Sequence, residues 1–152
     1  MKAQCLDGDR LSIRTSLRST PDAVSETLRE VRVRLNDMPP LDCLDSTWEV
    51  IVAEVLNNIV EHAYDDSHTG EIDLTLLFGP TTMNAEFIDY GRAMPNGTLP
   101  CPRDADLDVP RADLPEGGFG WMLIHTLASH VEYRHDGGSN RLALELRLDT
   151  KS

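Results

Sequence analysis

The stretch Trp48-Glu49-Val50-Ile51-Val52-Ala53-Glu54-Val55-Leu56-Asn57-Asn58-Ile59-Val60-Glu61-His62-Ala63-Tyr64 decides how the rest of the chain is read. It is amphipathic at helical spacing, and inside it Glu54, Asn58 and His62 recur every four residues. On a helix each step of four turns the side chain by roughly 40° and climbs ~6 Å, so a carboxylate, an amide and an imidazole line one strip. Those three groups in register outline a site. Two further segments stand downstream: Asp89-Tyr90-Gly91 closes an apolar alternation, and Gly117-Gly118-Phe119-Gly120 opens an apolar helical run. Together the three segments point to a nucleotide.

With 152 residues, 40% of them hydrophobic, the chain has enough material for one compact α+β domain over 1–152 and no room for a second. Its formal net charge of -12 argues against direct nucleic-acid binding, where basic side chains replace counterions, and against an anionic membrane face. Any polyanion it binds needs a local positive field. Cys5, Cys43 and Cys101 are odd in number and widely spaced, unlike a disulfide framework. The first ten residues lack the apolar core of a signal peptide, and no later run is long enough to span a bilayer. A cytoplasmic location is expected.

Outward from the central helix, Leu11 to Arg18 partly alternates as a strand. Thr20-Pro21 then starts a helix whose Val24, Leu28, Val31 and Leu35 repeat until Pro39-Pro40 ends it. Ser46-Thr47-Trp48-Glu49 has capping-box form, with a start nearer Leu41 as the alternative. Beyond the central helix, Ile72, Leu74, Leu76 and Phe78 alternate as a strand, and Met83 to Asp89 returns as its hairpin partner. Arg92 to Glu116 is a long loop rich in Pro, Asp and Gly, of the kind that carries function. A short helix over Gly120–Ala128 and a hairpin of Val131–His135 with Arg141–Leu148 complete the chain. The expected architecture is a two-layer sandwich, a mixed and mainly antiparallel sheet with helices on one face.

Taken in order, Glu54 to His62, Asp89 to Ala93 and Gly118-Phe119-Gly120 resemble the three boxes of the GHKL, or histidine-kinase-like, ATPase domain. Within that superfamily the chain resembles the short anti-sigma-factor serine/threonine kinases, from about Leu11 to Leu148. The resemblance implies ATP and magnesium as cofactors, with Asn58 as the metal ligand and Glu54 as the catalytic base. It implies that Asp89 reads adenine, because a carboxylate accepts from the exocyclic amino group and repels the carbonyl oxygen that guanine presents there. Gly91 leaves space for the base plane, and Ala93 stands where many relatives carry another glycine. Gly118 and Gly120 offer backbone amides and a helix N-terminus to the phosphates, which supplies the local field an acidic chain needs. His62 either flanks the nucleotide or packs beneath the long Arg92 to Glu116 loop.

The implied partners are a STAS-type anti-sigma-factor antagonist, which is phosphorylated, and a sigma factor, which is bound; a homodimer is left open. A regulatory module that binds its partner in a nucleotide-dependent way, without phosphorylating it, is the alternative. Glu54 discriminates the two, since a pure binding module has no need of a base. Five histidines and three cysteines lack zinc-site spacing. Arg29, Arg32 and Arg34 on the first helix read equally as a docking face and as a solvated one. Trp121 and Met122 read as core.

Overall fold

Period-two alternation builds the sheet. The computed structural model describes residues 1–7, 10–39, 41–64, 70–94 and 118–149. Six strands run in the order β1 (Lys2–Asp7), β2 (Arg10–Arg18), β3 (Glu71–Phe78), β4 (Thr82–Asp89), β6 (Ser139–Arg147) and β5 (Ala128–Asp136) across one sheet. On β3 the residues Ile72, Leu74, Leu76 and Phe78 are buried. Their cross-strand partners on β4 are Asp89, Phe87, Ala85 and Met83, so one face is apolar until its last position, which is a carboxylate.

Among the described residues, three α-helices cover that face: α1 (Pro21–Asn36), α2 (Thr47–His62) and α3 (Gly118–Leu127). Val24, Leu28, Val31 and Leu35 of α1 join Trp48, Ile51, Val52, Val55, Leu56 and Ile59 of α2, and Trp121 and Ile124 of α3, in one core with the strands. Trp48 anchors the layer edge-on to Phe78, ring centroids 5.3 Å apart. Arg32 crosses from α1 with its guanidinium 4.9 Å from the Trp48 ring centroid and 3.1 Å from Glu49. A cation held between an aromatic face and a carboxylate ties the two helices together. Arg32 is thereby committed to the fold, while Arg29 and Arg34 are exposed.

The α+β sandwich agrees with the expectation, with corrections. Every strand pair is antiparallel, so the sheet is not mixed. β5 runs parallel to β4, but β6 lies between them and no parallel pair forms. Strand β1 went unrecognised, because all its described side chains are exposed and none supplies an alternation. Ser46 makes no side-chain cap bond; a short 3-10 turn at Leu41–Cys43 leads in, and Asp45 Oδ1 accepts from the Thr47 N–H at 3.0 Å instead. Thr20 does cap α1, accepting from the Ala23 N–H at 3.2 Å, with Pro21 following. Helix α2 ends at His62 rather than Tyr64, α3 spans Gly118–Leu127, and β5 begins directly at Ala128. Most of the long loop, 95–117, lies outside the described residues.

The two caps differ in their energetics. Thr20→Ala is expected to destabilise the fold by about 1 kcal/mol, and Ser46→Ala by less than about 0.5 kcal/mol, in denaturant titrations. Equal losses would contradict the capping seen here.

Candidate functional site

Asp89 is the last residue of β4, and the alternation that buries Phe87 also turns Asp89 inward. It is 5% exposed. Its Oδ1 accepts from the Gly91 N–H at 3.0 Å and from Asn140 Nδ2 at 2.8 Å. Burial pushes its carboxyl above the usual aspartate range, against the bonds from Asn140 and Gly91 and the nearby His135, which favour the charged form. Desolvation outweighs the donors here.

Gly91 and Gly120 make close approaches at the candidate site. A side chain on Gly91 would collide with the Ala63 carbonyl at the end of α2. The bare backbone lets the Arg92 N–H donate to Ala63 O at 2.6 Å, and beside it the Tyr90 N–H donates to Tyr64 Oη at 2.8 Å. Tyr64 donates in turn to Glu71 O at 2.8 Å, and burial raises its phenol, which preserves the donating form. Gly91 thus has a reason in the fold that is separate from any base plane. At the first turn of α3, a Cβ on Gly120 would overlap Glu54 Oε2, and it would sit 3.5 Å from Asn58 Nδ2.

Glu54 and Asn58, one turn apart on α2, therefore meet Gly120, which is distant in sequence. Asn58 is 5% exposed, and its Nδ2 donates to Glu54 O at 2.8 Å within the helix. That bond commits the amide nitrogen to α2 and assigns ligand contact to Oδ1. Glu54 is half-buried, with its carboxylate over the Gly120 backbone. His62 stands apart. Its side chain is 64% exposed at the end of α2, with Nε2 3.6 Å from Glu61 Oε2. Ala93 is partly buried, Arg92 is exposed, Gly118 opens α3 and Asn57 faces solvent. Trp121 is core, as expected.

Asn140 was missed by sequence reasoning. It faces Asp89 across the β4–β6 ladder and is 2% exposed. Nδ2 also lies 3.1 Å from Gly91 O and 3.2 Å from Arg92 O. Its Oδ1 accepts from Tyr133 Oη at 3.1 Å and from His135 Nδ1 at 2.6 Å, so that ring nitrogen carries the hydrogen. The Met94 N–H donates to Tyr133 Oη at 2.9 Å. The available signal was its place in the series Asn140, Leu142, Leu144, Leu146: a polar residue at an inward position needs a partner.

A family model for the histidine kinase-like ATPase domain matches residues 17–146. The serine-protein kinase RsbW of Halalkalibacterium halodurans is 33% identical over 94 residues, covering 59% of this chain and 55% of that protein. RsbW of Bacillus mycoides is 34% identical over 93 residues, covering 59% and 56%. The serine/threonine-protein kinase BtrW of Bordetella bronchiseptica is 34% identical over 99 residues, covering 64% and 67%. The chain spans about half the length of the RsbW proteins it matches. The crystal structure of the RsbU and RsbW domains of Rv1364c from Mycobacterium tuberculosis superposes with a TM-score of 0.51, over 93% of this chain and 33% of that one. At 20% identity this is a likeness of fold.

The raised carboxyl of Asp89 has a measurable sign. A group whose folded pKa lies above its unfolded value stabilises fully below the unfolded pKa, and that contribution is lost as pH rises through the folded one. Relative to Asp89→Asn, the protein should lose stability as pH rises from 3.8 through the window just above the ordinary aspartate range. Urea unfolding of both proteins across that window checks it; parallel pH profiles would refute the burial effect.

Proposed function

Because the chain belongs to the histidine kinase-like ATPase family, we propose that it is a cytoplasmic, ATP-dependent serine/threonine protein kinase of the anti-sigma-factor type. Its acceptor is a STAS-type antagonist, and it binds a sigma factor. Serine-protein kinases among its relatives support the class of reaction. The observation that carries the reading is the convergence of Glu54, Asn58 and the first turn of α3 at Gly120.

Asp89 holds the nucleobase end, with Oδ1 occupied by protein donors and the carboxylate set to accept from the adenine amino group. Backbone N–H groups in the first turn of α3 are the groups an α-helix leaves unpaired, and they suit phosphate oxygens. Magnesium fits the residues present. A buried amide oxygen on Asn58 is a hard ligand, and no group of three His, Cys, Asp or Glu among the described residues offers a protein cage, so water and phosphate would have to supply the other ligands. Bound there by Asn58, the ion supplies charge neutralisation of the phosphates. Glu54 stands where it accepts the proton of the attacking hydroxyl as its oxygen bonds to the γ-phosphorus. The bond from the γ-phosphorus to the bridging oxygen breaks, and ADP takes that oxygen and its charge. The glycine at 120 leaves room for the carboxylate at this place.

Transfer of label from γ-labelled ATP to a purified STAS-domain protein tests the roles separately. Glu54→Gln, which keeps the shape beside Gly120, should lower transfer by roughly 10²–10⁴-fold with little change in ATP affinity. Asn58→Ala should weaken magnesium-dependent ATP binding on the order of tenfold. Undiminished transfer by Glu54→Gln would remove the base, and unchanged binding by Asn58→Ala would remove the metal ligand.

A further inference from the structure

We propose that Asn140 is a positioning residue for nucleobase selection, fixing which oxygen of Asp89 meets the base. The inference rests on the reading of Asp89 as the group that accepts from the adenine amino group. A carboxylate has two equivalent oxygens and rotates between them at little cost unless its surroundings distinguish them. Here they do. The Asn140 and Gly91 donors converge on Oδ1, at 2.8 and 3.0 Å, which among the described residues leaves Oδ2 as the oxygen for a base.

The direction of the Asn140 amide is itself fixed by the three acceptors around its nitrogen. Its Oδ1 receives hydrogens from Tyr133 and His135, while its Nδ2 faces the oxygens of Asp89, Gly91 and Arg92. A flipped amide would set its oxygen against three oxygens that have no hydrogen to give, whereas Tyr133 and His135 can donate to the amide oxygen as placed. In a site 2% exposed, water offers no escape from that mismatch. The shared side chain also binds the segment leaving β4: Gly91 O and Arg92 O directly, and Met94 through Tyr133. Reader and segment are therefore held to the β5–β6 hairpin by one planar group that both donates and accepts. Leucine provides neither function, and serine is too short to reach both sides.

The test is the ratio of Mg-ATP to Mg-GTP affinity, measured by isothermal titration calorimetry on protein whose fold is checked by thermal melting. The unaltered protein should prefer ATP. Asn140→Leu and Asn140→Ser should reduce that preference by about tenfold or more, the scale of one charge-assisted hydrogen bond lost from its aim. Asn140→Ser, smaller and still polar, carries the test if the leucine variant does not fold. In an Asp89→Ala background, where the reader is gone, Asn140→Ser should leave the ratio unchanged. A wild-type ratio in Asn140→Ser, or an equal fall in the Asp89→Ala background, overturns the role of Asn140 alone. No preference for ATP in the unaltered protein overturns the reading of Asp89 and this inference with it.

Discussion

The backbone bond from Arg92 to Ala63, 2.6 Å long, fixes the end of β4 against the end of α2, and the candidate site depends on it. Only a residue without a side chain at position 91 allows it. Once the two ends are clasped, the geometry of an α-helix decides the rest. Asn58 and Glu54 lie one and two turns back along α2, at ~6 Å per step of four residues, so the two groups proposed to face the phosphates sit on one rigid element at a set distance from the clasped end beside Asp89. Packing of α3 against α2 then brings Gly120 beneath the Glu54 carboxylate.

Burial governs the electrostatics. Two described donors and a nearby imidazole favour a charged Asp89, yet desolvation is the largest influence and the carboxyl is raised. The cost is accepted in exchange for an acceptor that water does not saturate. On the proposed reading, an acidic chain with a formal net charge of -12 would meet phosphates through backbone amides, which carry no formal charge. Net charge therefore limits the kind of surface the chain presents without limiting a local cradle.

Much of the framework was legible because its signals are local. Thr20-Pro21 announces α1 by capping chemistry, and β3 and β4 announce themselves by burying alternate residues. Strand β1 has no buried residue to alternate among its described side chains, and no turn residue separates α3 from β5 at Leu127-Ala128, so neither element start carries a signal. The strip was legible in part. Its roughly 40° drift per step accumulates to about 80° from Glu54 to His62, and α2 ends there, which leaves His62 exposed beside Glu61. Asn140 was hidden for another reason: its partners lie on β4, the segment after it and β5, and only the strand register brings them together.

The central claim is that Asp89 and the α2–α3 junction are two ends of one ATP site. A crystal structure with magnesium and a non-hydrolysable ATP analogue tests it most directly. The adenine amino group should lie within hydrogen-bond distance of the Asp89 carboxylate, with the phosphates between Asn58 and the first turn of α3. A nucleotide bound elsewhere, or one whose base leaves Asp89 untouched, would contradict the account.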